Sequence, residues 1–305
     1  MDYIGILTRS AKLMWKHKII YIFLLIFYSV PSVLSLGVMS VVVFTTDMSD
    51  PQRFFKTATS WMTSENPILW VGIVGAYILL MLLTYSCYIF GFIGALKGAS
   101  LAERGAKSID FMVLLQAGLK HFLPLAAIFF VIGVALIAIM VPAIVLGPLI
   151  ILAFLCLIPV FIAGRMAIEL LCAAIVTDDL GLPAALERFW QLVQKQLWPL
   201  ALMALILIVV DFVANIVVTL PVGVFQQVFM QFIFLNPTMK QDPSMMFGQM
   251  FRWMFVIMIF IMPVMLVLQG LVLTYHNIAT SLTYLAISEK PFQSTPAAEP
   301  VSANL

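Results

Sequence analysis

Long apolar runs, separated by short polar segments, dominate the chain. A bilayer core about 30 Å thick needs about 20 helical residues, because each residue adds about 1.5 Å. Backbone groups in lipid must hydrogen-bond within their own segment, so runs of this length favour helices over the strands of a barrel. The pattern predicts an all-α integral membrane protein with six transmembrane helices: Ile19 to Phe44, Ile68 to Leu96, Phe122 to Leu146, Leu149 to Val176, Leu197 to Val224 and Trp253 to Ala286.

A short polar motif recurs before the first, third and fifth runs. In each case a lysine directly precedes His or Gln, at Lys16-His17, Lys120-His121 and Lys195-Gln196. The segment upstream of each lysine alternates apolar and polar residues at helical spacing, as Ile4 and Trp15 oppose the basic residues in the first. This is typical of a helix that lies in the membrane interface.

The recurrence predicts three repeats, each an interfacial amphipathic helix followed by two spans. The units cover about residues 1–105, 106–181 and 182–290, and together they form a single membrane domain over 1–290. Selection of Lys and Trp at every membrane boundary is the alternative explanation of the likeness. Residues 291–305, rich in Pro, Ala and Ser, are expected to be a disordered tail.

Composition excludes an ordinary soluble domain. Hydrophobic residues make up 63% of the chain, charged residues only 10%, and the mean hydropathy is +1.11. The net charge of +2 gives no case for binding nucleic acid.

Basic residues set the expected orientation. Four of them lie on one side of the six runs, at Arg53, Lys56, Lys240 and Arg252. Both termini are therefore predicted to be cytoplasmic, with eleven basic residues on the inner side: Arg9, Lys12, Lys16, Lys18, Lys97, Arg104, Lys107, Lys120, Arg188, Lys195 and Lys290.

Polar residues within the runs are the candidate site. Arg165 lies thirteen residues before Asp178, and Asp211 lies thirteen residues after Trp198, so both are about 20 Å from the inner boundary. Glu169 follows Arg165 by one helical turn. We predict an intramembrane polar cluster of Arg165, Glu169 and Asp211, extended by Asn215, His276 and Asn277.

Two roles for this cluster stay open. It is either an electrostatic contact that fixes the order of the helices, or a proton relay or anionic head-group site at Arg165. No catalytic motif is present, and neither a metal nor another cofactor is expected. Asp178 and Asp179 fit an acidic helix start, or alternatively a cation site facing the cytoplasm.

The region after the fourth run resembles a known group of proteins. Asp178-Asp179-Leu180-Gly181, the segment Ala185 to Leu192, and Trp198 resemble a pattern in six-span bacterial membrane proteins. That group includes the membrane domain attached to some glycerophosphodiester phosphodiesterases and related uncharacterised inner-membrane families. Phe189 stands where serine is usual there. The resemblance implies a six-span fold in a bacterial inner membrane.

These observations predict a multi-pass protein of the cell inner (plasma) membrane, non-enzymatic, acting as a scaffold or accessory subunit. The alternative is a small carrier or lipid-handling protein that uses the Arg165, Glu169 and Asp211 cluster. Expected partners are membrane lipids and either another membrane protein or a second copy of the chain. A scaffold should purify with a stoichiometric partner, whereas a carrier should have a water-accessible cavity that reaches Arg165.

Overall fold

The computed structural model describes residues 1–45, 67–145, 164–235 and 243–288. These residues form helices throughout and contain no strand. Seven helices follow in chain order: α1 (Tyr3–Lys16), α2 (Lys18–Thr45), α3 (Pro67–Glu103), α4 (Phe111–Val145), α5 (164–177), α6 (Leu182–Leu235) and α7 (Pro243–Ser288).

Five helices in the described part of the chain are long and apolar enough to cross a membrane, which indicates a helical membrane protein. The qualifying stretches are Lys18–Gly37, Val74–Glu103, Phe111–Ala135, Leu182–Val224 and Phe255–Ser288. The predicted run from Leu149 to Val176 lies largely outside the described residues, which include only its final part, in α5. The predicted tail, 291–305, also lies outside them.

The recurring lysine motif coincides with a helix break at two of its three positions. His17, with φ −113° and ψ 67°, separates α1 from α2. Gln196, with φ −138° and ψ 36°, interrupts the helical geometry of α6. At the second position the helix continues through His121 without a break. There the expected separate interfacial helix is instead the first part of α4.

The apolar face predicted for α1 is buried only in part. Ile6, Ser10 and Met14 are buried, whereas Ile4 and Trp15 are 78% and 63% exposed. An apolar side chain on a helix in the membrane interface contacts lipid. Its exposure on the protein surface is therefore favourable. Trp198, after the break in α6, is likewise 83% exposed.

Small residues bring α2, α3 and α5 into a dense core. A Cβ atom added to Gly94 of α3 would overlap the ring of Phe23 in α2, and one added to Gly98 would lie 2.8 Å from Ile20. In α5, every residue from Cys172 to Val176 is fully buried. The second half of α7 completes this core, including the fully buried Tyr284. This core holds the functional side chains on α5, α6 and α7 in fixed positions.

Candidate functional site: a polar network beside a cavity

Four charged or titratable side chains from three helices form one network, which we call the Arg165 network. Arg165 of α5 donates from Nε to Oε1 of Glu169 at 2.8 Å, and from Nη2 to Oδ2 of Asp211 in α6 at 2.8 Å. His276 of α7 lies between the carboxylates, with Nε2 2.8 Å from Glu169 Oε2 and Nδ1 3.1 Å from Asp211 Oδ1. Arg165, Glu169, Asp211 and His276 therefore tie α5, α6 and α7 together.

The contacts of His276 favour a doubly protonated ring. Ionised carboxylates only accept hydrogen bonds, and each ring nitrogen of His276 faces one. Nε2 also lies 3.3 Å from Nη2 of Arg165, but its contact with Glu169 at 2.8 Å is shorter. We therefore assign an imidazolium, in which both nitrogens donate to carboxylates. Its charge and that of Arg165 balance the charges of Glu169 and Asp211. The Arg165 network is thus neutral as a whole, although it contains four charges.

Neutrality matters because Asp211 and His276 lie within helices that are long and apolar enough to cross a membrane. A single charge near the middle of a membrane costs at least about 2.5–3.5 kcal/mol on insertion scales. The side chains of Glu169, Asp211 and His276 are only 12%, 14% and 4% exposed, whereas that of Arg165 is 47% exposed. The two carboxylates and the histidine are therefore enclosed, and the arginine forms the open side of the network.

The remaining predicted residues take different places. Asn215 lies one turn after Asp211 and donates to its backbone carbonyl at 2.9 Å, so it does not join the side-chain network. Asn277 is 1% exposed, and its Nδ2 has no hydrogen-bond partner among the described residues. A buried N–H without a partner costs about 1–3 kcal/mol.

Thr280 joins the network although the sequence interpretation did not include it. Its hydroxyl donates to Glu169 Oε2 at 3.3 Å. Thr280 follows His276 by four residues, so both side chains lie on the same face of α7. That spacing was the sequence signal that could have identified it.

A cavity of about 350 Å³ opens beside the network. Its polar wall contains Arg165, Glu169, His276 and Asn277. The rest of the wall is mainly aromatic and aliphatic, comprising Tyr88, Phe92, Phe129, Ile132, Gly164, Ile168 and Leu273. The rings of Phe92 and Phe129 meet edge to face with centroids 5.8 Å apart. We call this space the Arg165 cavity; it combines a polar end with an apolar body.

A second ionic cluster joins the ends of α3, α4 and α5. Asp179 contacts Lys97 at 3.4 Å, Lys120 at 3.1 Å and Nε2 of His121 at 2.8 Å. Asp178 accepts a hydrogen bond from the hydroxyl of Tyr284 at 2.6 Å. Asp178 also contacts Arg104 at 3.2 Å.

This second cluster explains the acidic pair that the sequence interpretation singled out. Burial raises the pKa of Asp179, but hydrogen bonds and positive charge from Lys120, Lys97 and His121 outweigh it and lower the pKa to about 2. Protein cations thus occupy the positions that a bound cation would take. The sequence analysis interpreted Lys97 and Lys120 as orientation signals, and Lys120 and His121 as part of the recurring motif. Nothing local indicates that two helices bring these residues to one carboxylate.

No metal site is evident in the part of the chain that the structure describes. There, no group of three or more His, Cys, Asp or Glu residues could hold a metal ion. The two carboxylates beside His276 are already engaged by Arg165.

Comparison with known proteins adds no family. No protein-family model, curated protein or solved structure matches the chain. The resemblance of the segment from Asp178 to Trp198 to six-span bacterial membrane proteins therefore stays a prediction.

Proposed function

We propose that the chain is a non-enzymatic membrane protein that binds and carries a small amphiphilic molecule in the Arg165 cavity. This is the carrier or lipid-handling alternative of the sequence interpretation. The single observation that carries the proposal is a cavity that reaches Arg165, a feature that a purely structural ion pair does not require.

The shape and lining of the cavity support an amphiphile rather than a polar solute. Its volume of about 350 Å³ lies at the lower end of small-molecule pockets, which run from about 300 to 1,000 Å³. A space of this size takes a single chain and a small head group better than a whole phospholipid. Apolar side chains surround most of the space, and the polar groups are confined to one end.

A scaffold or accessory role is the second candidate. The completeness of the Arg165 network favours it, because a neutral, fully paired set of charges holds three helices together without needing a ligand. Stable association with another membrane protein or with a second copy of the chain would be its signature.

The same proposal includes the topology and the location. Six spans in three repeats, with both termini cytoplasmic in a bacterial inner membrane, fit the distribution of basic residues and the breaks at His17 and Gln196. In that orientation the Asp179 cluster lies at the cytoplasmic side, and the Arg165 cavity opens within the bilayer.

Photolabelling in membranes tests the function. The probe is a decyl amide that carries a photoactivatable diazirine in its chain, and peptide mass spectrometry locates the labelled residues. Ile132→Trp places a large side chain in the cavity wall. We expect saturable labelling of the cavity residues in the wild type, and about a tenfold loss in this variant, which corresponds to about 1.4 kcal/mol of binding.

Val264→Trp provides the matched control. Val264 is 60% exposed and lines a different apolar groove between α6 and α7. This variant should leave labelling of the Arg165 cavity unchanged. Labelling that is not saturable, or that is insensitive to Ile132→Trp, would reject ligand binding in the cavity and leave the scaffold role.

A further inference from the structure

Asn277 gives the polar end of the cavity a second hydrogen-bonding group. Its side chain is almost completely enclosed, and its Nδ2 has no partner among the described residues. Rotation about the last side-chain bond is soft and roughly two-fold, so this amide can turn its N–H groups toward the cavity that it lines. A hydrogen-bond acceptor on a bound molecule would satisfy that donor.

Arg165 offers a donor at the same end. Its contacts within the described residues use Nε and Nη2, and Nη1 has no hydrogen-bond partner there. A guanidinium carries five N–H donors in a planar fork, so a group beside it can accept from Nη1 while the existing pairs remain intact. Arg165 and Asn277 together thus present donors without a matching acceptor.

The charge balance decides which acceptor fits. Arg165 and the imidazolium of His276 already balance Glu169 and Asp211. An anionic head group would give the site a net negative charge in an apolar environment, which is unfavourable. It would also have to compete with two carboxylates for Arg165. A cationic head group would face Arg165 directly.

We infer that the Arg165 cavity selects a single-chain amphiphile whose head group is an uncharged carbonyl, such as an amide, an ester or a protonated carboxylic acid. The carbonyl oxygen accepts from Asn277 and Arg165, and the chain lies against the rings of Tyr88, Phe92 and Phe129. This inference rests on the proposed function, and it replaces the anionic head group that the sequence suggested for Arg165.

The inference is tested by competition for the cavity among compounds that share a ten-carbon chain and differ in the group at its end. Four compounds compete at pH 7.5 with the photoactivatable decyl amide for the wild-type protein in membranes: decanamide, decyl sulfate, decyltrimethylammonium and decane. The concentration of each compound is measured in the membrane. Differences in partitioning between water and membrane then do not affect the comparison. We expect decanamide to protect the cavity residues at about one tenth of the concentration that any of the others needs.

Asn277→Leu supplies the matched variant. Leucine has nearly the same shape and removes a buried donor that has no partner, so the fold should tolerate it. The advantage of decanamide over decane should fall by about tenfold in this variant. The ranking on the wild-type protein tests the inference even if the variant does not fold.

The outcomes separate this inference from the function on which it rests. Equal protection by all four compounds, or strongest protection by decyl sulfate, would overturn the uncharged head group while leaving ligand binding in place. If no compound protects the cavity and Ile132→Trp changes nothing, the proposed function itself fails.

Discussion

At the scale of single residues, the Arg165 network can adjust its own charge by one proton. His276 contacts both carboxylates, so loss of either negative charge can be matched by loss of the ring proton. Removal of one member of a buried ion pair typically costs about 3–5 kcal/mol, because the partner stays charged. Here the cost should be smaller, since His276 can restore neutrality.

Asp211→Asn makes this behaviour measurable. In the wild type at pH 7, we expect His276 to be doubly protonated, since both of its nitrogens face carboxylates. In the variant only Glu169 remains to balance Arg165, so His276 should be neutral. Nitrogen NMR of histidine-labelled protein distinguishes the two forms, and the chain contains only three histidines.

His276→Gln identifies the signal, because the resonance of His276 must disappear in that variant. A neutral His276 in the wild type would contradict the balanced network and remove the charge argument for an uncharged head group. An imidazolium that persists in Asp211→Asn would show that the ring does not adjust to its neighbours.

Part of this site could be predicted from the sequence. Arg165 and Glu169 lie four residues apart on one helix, and such a pair follows from helical geometry alone. Asp211 was predicted to lie at the depth of Arg165 because both residues are equally far along the chain from the inner membrane boundary. The central position of His276 could not be predicted, because it depends on the rotation of α7 about its axis against α5 and α6.

At the scale of helices, glycines control how closely α2 and α3 pack. Gly94 and Gly98 form a Gly-x-x-x-Gly motif in α3, a spacing that lets membrane helices approach closely. A Cβ atom at Gly94 would overlap the ring of Phe23. By contrast, Gly75 of the same helix has no atom within 4 Å of an added Cβ.

Gly94→Leu should therefore destabilise the bundle. Overpacking in a filled core costs about 1–3 kcal/mol, and the ring of Phe23 leaves no room for leucine without a shift of α2. The thermal unfolding midpoint in detergent should fall for Gly94→Leu and stay near the wild-type value for Gly75→Leu. The two substitutions share the same change in helix propensity. Equal midpoints for both variants would contradict close packing at Gly94.

Helix existence was predictable from apolar run length, but helix continuity was not. The recurring lysine motif gave the same expectation at His17, His121 and Gln196, yet α4 continues through His121. Lys120 and His121 both reach Asp179 from that unbroken helix. The outcome depends on contacts with another helix, which no local pattern contains.

At the scale of the whole molecule, two polar sites join different sets of helices. The Asp179 cluster joins the ends of α3, α4 and α5, and Tyr284 links it to α7. The Arg165 network joins α5, α6 and α7, with the cavity beside it. We assign ligand binding to the second site because the Arg165 cavity lies beside it.

The most direct test is a structure of the protein in lipid discs formed from its native membrane. The account predicts density for one chain-like molecule in the Arg165 cavity, with its head group within hydrogen-bond distance of Arg165 and Asn277 and its chain against Phe129. A cavity closed by a side chain or by a partner helix, with no bound molecule, would contradict it.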